Sequence, residues 1–229
     1  MALQLAAEEP EAGPWRVELL STVVNAVISR GPDRNSSGRP AVLTVDGRSN
    51  NGKTTVAARI SEMVPGSVVI HTDDIAFAHS RFGWDGLLID GILVPVHQGR
   101  AVSYRPPRWD EHGRKGSIEV PAGCPLVIIE GDGAGRREVA HLIDTLIWVQ
   151  ADEREAGRRA AARLANPPVG DLANKDPMGC RSTRMGGWPR KFPSTPATDL
   201  ETRRHHRLWH PGDPPRPEYR NRHRTAKRA

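Results

Sequence analysis

Apolar positions along this 229-residue chain follow two rhythms. In WRVELLSTVVNAVIS (15–29), Val17, Leu20, Val24 and Val27 are spaced for one face of an amphipathic helix. A polar loop then leads into AVLTV (41–45), a short apolar run rich in β-branched residues that predicts a buried strand. SVVIH (67–71), PLVIIEG (125–131) and TLIWVQ (145–150) repeat that signature. Helical patterns lie between and after them: about Lys53 to Met63, 85–99 with a late break at Pro95, 136–143, and 152–165. The polar, turn-rich stretch 101–123 reads as an extended excursion or hairpin. Strands alternating with helices predict an α/β fold around a parallel, doubly wound sheet. Ligands of such sheets sit beyond the carboxyl ends of the strands. Gly47–Thr55, Asp73–Asp74 and Glu130 all follow directly on a strand, so three strand ends point at one crevice.

Composition divides the chain in two. Its net charge is +6, from 33 Lys and Arg against 27 Asp and Glu. Residues 166–229 carry 14 of those bases, only 6 of the acids and 10 of the 20 prolines. The basic excess therefore lies outside the α/β pattern, which argues against nucleic acid as a partner of the folded part. The two cysteines, Cys124 and Cys180, are far apart and lack metal-ligand spacing, as expected of a reduced, cytoplasmic protein. The acid-bearing start, MALQLAAEEPEAGPW, does not read as a secretory signal, and no apolar run approaches the ~18 residues of a membrane span. Oligomeric state stays open.

The strongest chemical signal is VDGRSNNGKTT, from Val45 to Thr55. Gly47, Gly52, Lys53 and Thr54 fit G-x-x-x-x-G-K-[ST], with Ser49, Asn50, Asn51 and Thr55 completing the loop. Glycines let successive backbone N–H groups converge on phosphate oxygens, and the helix starting near Lys53 adds its positive end. Lys53 would reach the β- and γ-phosphates of ATP, and the Thr54 hydroxyl would ligate Mg²⁺. HTDDIAF puts two carboxylates opposite. Asp73 is the preferred base for an attacking hydroxyl, with Asp74 facing Mg²⁺, a helix cap or the acceptor. Glu130, after VII, is placed to hold the water shell of the metal. Tyr104, Arg105, Arg108, Trp109, Asp110, His112 and Arg114 crowd one excursion and offer ring faces and donors to a small polar acceptor. Arg136 and Arg137 open the following helix.

Taken in order, VDGRSNNGKTT, HTDDIAF, SYRPPRWDEHGR and VIIEGDGAGRRE resemble the uridine kinase-like P-loop kinases over about residues 15–165. The resemblance implies a P-loop kinase-like fold, ATP and Mg²⁺ as co-substrates, and transfer to the 5′-hydroxyl of uridine or cytidine. It aligns Asp73 with the catalytic aspartate, places Trp84 and Asp85 near the ribose, and matches Tyr104 and Asp110 to a substrate segment. It also implies a lid with Arg158, Arg159 and Arg163 over the phosphates. Ile75 and Ala76 stand where the family has an aromatic pair, which leaves a different small alcohol open as the acceptor. A P-loop protein whose basic tail docks on RNA is the alternative from another class.

The resemblance ends near Arg163-Leu164. Beyond Asn166 only seven residues are Val, Ile, Leu, Met or Phe, too few to offset the entropy of ordering such a stretch. A genuine basic tail is one explanation. A reading-frame shift near residues 164–175 is the other: one base along, common codons for His205–His210 permit Ile-Ile-Val-x-Gly-Thr, an apolar strand ending in glycine. On that second reading the chain would be a weakly active, truncated kinase.

Overall fold

A computed structural model describes residues 4–5, 9, 16–32, 38–80, 83–165 and, through the backbone, 206–209. Strands β1 (Ala41–Gly47), β2 (Val68–His71), β5 (Leu126–Glu130), β6 (Thr145–Val149) and β7 (His206–Trp209) form one sheet in the order β2-β5-β1-β6-β7. The first four are parallel, and β7 runs antiparallel to β6. A second, two-stranded sheet pairs β3 (Val102–Tyr104) with β4 (Ile118–Val120). This is the parallel, doubly wound α/β arrangement that the strand–helix alternation predicts.

The central strands are apolar without interruption because both faces are covered. Side chains alternate along each strand. Leu43, Val45, Leu126 and Ile128 face a layer with Val24 and Val27 of α1 (Leu20–Arg30) and Val56, Ala57 and Ile60 of α2 (Lys53–Met63). Val42, Val127 and Ile129 face the other way, onto Ile75, Leu88, Ile92, Leu93 and Trp109. The strand starts are tied as well: Arg39 donates to both carboxylate oxygens of Asp144, each at 2.9 Å, and Asp144 accepts the N–H of Val42 at 2.8 Å.

Several boundaries differ from the sequence pattern. Helix α1 starts at Leu20, five residues late; Val17 is 98% exposed, and among the described residues, 16–19 bury no side chain that would draw them into the helix. Pro95 does not break its helix. Asp85–Leu88 (α4, after α3, Thr72–Ile75) continues through a π-helical turn, Ile89–Leu93, into Val94–His97 (α5). The wider turn lies where the proline ring would meet the Gly91 carbonyl, and Pro95 falls in the first turn of α5, where its missing N–H costs least. The helix stops at Gly99, whose φ of +68° lets it receive the closing turn. The excursion is the expected hairpin, with a short helix, α6 (Pro107–Glu111), at its tip. Residues 137–142 are a 3₁₀ turn, and α7 (Glu153–Ala165) is capped by the Asp152 carboxylate on the N–H groups of Arg154 and Glu155.

Four residues of the polar tail, His206–Trp209, add to the sheet, although their composition predicts no element there. β6 otherwise presents a row of unpaired backbone groups, and any extended segment can satisfy them. The rest of the tail, with all but the first two residues of the stretch 164–175 where a frame shift is expected, lies outside the described residues. No helix among the described residues is long and apolar enough to cross a membrane.

Candidate active site

Strand register brings the candidate groups abreast. His71 of β2 pairs with Glu130 of β5, and Glu130 pairs with Val45 of β1. Neighbouring strands lie ~4.8 Å apart, so the ends of β2 and β5 and the loop after β1 open on one crevice.

The phosphate loop needs its glycines. At Gly47, φ is +144° and a Cβ would sit 2.2 Å from the Val149 carbonyl oxygen; at Gly52, the residue before α2, φ is +97°. The first turn of α2 carries no acid, so its positive end is not neutralised from within. The Lys53 ammonium is nearly buried and spends its three protons on Gly47 O (2.9 Å), Arg48 O (3.0 Å) and Asp132 Oδ1 (2.6 Å). Ser49 donates to the other Asp132 oxygen at 2.9 Å. Asn51 is buried and donates to Val149 O at 3.2 Å, holding the loop to β6. Thr55 is exposed on α2 and joins none of these contacts; Asn50, at φ +64°, forms the turn.

The two residues expected at the metal meet. The Thr54 hydroxyl donates to Glu130, 3.2 and 3.3 Å from its two oxygens. His71 Nδ1 lies 2.5 Å from Glu130 Oε1. Burial alone would lower the His71 pKa, but the Glu130 bond and the charges of Glu130, Asp74 and Asp73 outweigh it, and the pKa is raised. One hydroxyl and one carboxylate fit Mg²⁺, which keeps several waters and leans on substrate phosphates. Among the described residues no cluster of three or more His, Cys, Asp or Glu is arranged to hold a metal by itself.

Asp73 and Asp74 part company. Asp73 opens to solvent at the mouth of the crevice, while the crevice walls crowd its carboxyl. Partial loss of water there, then the charges of Glu130, Asp132 and Asp74, push its pKa up to about 6, with Lys53 opposing. Asp74 turns away from the crevice. It is buried and ion-paired with Arg114, and its backbone carbonyl accepts the Trp109 indole N–H at 2.8 Å. It caps no helix and joins no metal group, contrary to the expectation from sequence; adjacent residues on a short helix point apart, and the cation that takes Asp74 comes from the excursion. The Arg114 guanidinium stacks 4.0 Å over the Trp109 ring and 5.2 Å from that of Phe77.

No protein-family model matches the sequence, and no curated protein matches it. Among solved structures the chain is similar to a candidate uridine kinase from Bacillus stearothermophilus, at 14% identity over 66% of this chain and 95% of that one, with a TM-score of 0.42. It is also similar to a candidate fructose transport system kinase from Silicibacter sp. TM1040, at 17% identity over 69% of this chain and 86% of that one, with a TM-score of 0.49.

The acceptor-side candidates fall into two groups. Trp84, Asp85 and Arg136 come together: the Arg136 guanidinium lies 4.2 Å over the Trp84 ring and 3.4 Å from Asp85 Oδ1. Trp84 is buried, so its ring is packed under Arg136 and offers no open face. Tyr104 lies against Gly91, where a Cβ would come within 2.5 Å of the phenol ring, and both line a cleft of about 580 Å³ with Asp90 and Gly86. Burial and the Asp90 charge raise the Tyr104 pKa. Asp110, by contrast, is exposed and bound to Arg105 at 2.5 Å, and Arg105 also donates to the carbonyls of Arg114 and Gly116; this pair braces the excursion. Arg137 is exposed. Of the lid candidates, Arg159 reaches the phosphate loop, 3.4 Å from Asn50 O, while also binding Glu155 at 2.8 Å. Arg158 pairs with Glu155, and Arg163 is exposed near the end of α7.

Three residues of the crevice escape the sequence motifs. Asp46, the last acid before Gly47, is buried and accepts backbone N–H groups from Gly133 and Gly135, each at 3.0 Å, and from Gly47 at 2.7 Å. Asp132 closes over Lys53. His71 completes the Thr54–Glu130 pair. Each was visible as a charged or polar residue within two positions of a strand end, where an apolar run should not spend one without reason.

Proposed function

We propose that the chain is an ATP-dependent phosphotransferase acting on a hydroxyl of a small acceptor, with the 5′-hydroxyl of uridine or cytidine as the first candidate. The observation that carries this reading is the position of Asp73. It stands across the crevice from a glycine loop with a buried lysine, and its pKa, about 6, leaves it ionised yet basic near neutrality. A purely hydrolytic P-loop protein has less use for such a carboxylate.

In this reading the loop amides, Lys53 and the start of α2 take the β- and γ-phosphates. Asp73 accepts the acceptor's hydroxyl proton as the alkoxide oxygen bonds to the γ-phosphorus; the bond to the β-phosphate oxygen breaks and ADP leaves. Thr54 and Glu130 would hold Mg²⁺, which neutralises charge on the phosphate oxygens. Arg159, already at Asn50, is the lid arginine best supported. Asp85 with Arg136, and the Tyr104–Asp90 cleft, are the surfaces offered to the acceptor. Ile75 is fully buried and gives the acceptor no ring to stack on, which keeps other small alcohols in the screen. The work would take place in the cytoplasm.

Acceptor-dependent ADP release tests the reading. Uridine, cytidine and a panel of sugar alcohols should be scanned with the wild type and Asp73→Asn. The variant should keep ATP affinity by calorimetry and lose transfer by at least 10²-fold, the usual worth of a positioned base. Unchanged transfer would remove Asp73 from the role, and ATP turnover indifferent to every acceptor but stimulated by RNA would favour the docking protein.

A further inference from the structure

We propose that Asp132 is a built-in competitor of the nucleotide: its carboxylate holds the phosphate-binding groups of the loop and must be displaced before phosphate can enter. The inference rests on the phosphate-loop reading above and goes beyond it.

Asp132 makes the contacts a phosphate would make. One oxygen takes the third proton of Lys53 at 2.6 Å, and the other takes the Ser49 hydroxyl at 2.9 Å. The same two donors belong to the loop that reads as the phosphate cradle. A carboxylate and a phosphate oxygen cannot share the Lys53 ammonium at that distance without like-charge repulsion in a crevice that already holds Glu130 and Asp73. The turn that carries Asp132 is held firmly. A Cβ on Gly131 would lie 1.9 Å from the Thr72 hydroxyl, and the N–H groups of Gly133 and Gly135 are bound by Asp46, the residue that opens the phosphate loop. Only the carboxyl itself has somewhere to go: the Asp132 side chain is 45% exposed, against 9% for Lys53, so it can rotate into water while Lys53 stays.

The test is nucleotide affinity of the full chain, measured by calorimetry with ATP in EDTA and again with magnesium. Asp132→Asn keeps the shape and a hydrogen bond for Ser49 but removes the charge. It should bind ATP about tenfold more tightly, equivalent to about 1.4 kcal/mol, with the larger gain in EDTA. Asp132→Glu, which can rebuild the contact, should return towards wild-type affinity. Ser49→Ala, which removes a donor that Asp132 and phosphate would share, should not tighten binding. Thermal melting without nucleotide verifies that each variant is folded. Equal or weaker ATP binding by folded Asp132→Asn overturns the proposal while leaving the phosphate-loop reading intact. If neither wild type nor variant takes up ATP under either condition, the phosphate-loop reading falls and this inference with it.

Discussion

Asp46 gives the most exacting test of the fold beneath the site. Its carboxylate is buried and accepts the N–H groups of Gly133 and Gly135, each at 3.0 Å, as well as that of its own neighbour Gly47 at 2.7 Å. The first two bonds bridge nearly ninety residues of sequence and fix the turn after β5 against the phosphate loop. Asp46→Ala strands both donors, of which Gly135 is buried and Gly133 half-buried. A hydrogen bond to a charged group contributes ~1.5–3 kcal/mol, and leaving a buried donor unsatisfied costs ~1–3 kcal/mol. Two such donors put the loss at roughly 3–5 kcal/mol, a large share of the ~5–15 kcal/mol that holds a domain of this size together. Asp46→Asn keeps one acceptor oxygen and should lose about half as much. Urea denaturation followed by tryptophan fluorescence measures the series. A loss under ~1 kcal/mol for Asp46→Ala would show that these bonds do not hold the turn. Equal losses for Ala and Asn would show that charge, and not the number of acceptors, sets the effect.

The remaining expectations concern charge. The acid limb of kcat/KM should centre near pH 6, where Asp73 takes up its proton, and activity should fall below it. Because Asp132 is among the charges that raise this pKa, Asp132→Asn should move the limb to lower pH; a limb near pH 4 in both proteins would refute the crowding of Asp73. The same shift has the opposite sense for folding. The native state holds the Asp73 proton more tightly than the unfolded chain, so this group's contribution to stability declines as pH rises from about 4 to 6. Arg114→Met should destabilise by ~3–5 kcal/mol, because it leaves the buried Asp74 carboxylate unpaired, and Asp74→Asn in the same chain should restore part of the loss; a single-variant loss below ~1 kcal/mol, by the same denaturation assay, would deny the pair its structural role.

Reading the sequence recovered what periodicity and motif spacing control. The four parallel strands are uninterrupted apolar runs because each is covered on both faces, and such runs have little other use in a soluble α/β layer. The glycine loop was legible for a similar reason: Gly47 and Gly52 occupy backbone conformations and clearances that few other residues tolerate. The failures come from long-range partners. Nothing local says that the cation for Asp74 is Arg114, forty residues away in the excursion, so the sequence assigns Asp74 to the metal, a helix cap or the acceptor when its carboxylate is held by an ion pair. The resemblance places Trp84 near the ribose, but the ring is buried with the Arg136 guanidinium laid over it, a partner that no local pattern reveals. Pro95 looks like a helix end because local rules count its lost N–H but not the π turn that makes room for its ring.

The crevice is more acidic than its motif implies, and that has a consequence for what it binds. Asp132 binds the nearly buried Lys53 ammonium, the charges of Glu130 and Asp132 bear on Asp73, and the His71 ring is taken by Glu130. Two unit charges 4 Å apart interact with ~4 kcal/mol at the effective dielectric of a protein surface. A bare triphosphate would add several negative charges to this set and meet them unscreened at the floor of the crevice. Releasing Asp132 into water removes one repulsion. Protonating Asp73 would remove another, but only by disabling the base. Glu130 cannot swing into water in this way, since it is buried between Thr54 and His71. The triphosphate should therefore bind much more tightly as its magnesium complex, with Glu130 and Thr54 turned from a repulsive wall into a ligand pair. Glu130→Gln reverses that logic. It should weaken the dependence of ATP affinity on magnesium while improving binding in EDTA, and an unchanged magnesium dependence would remove Glu130 from the metal.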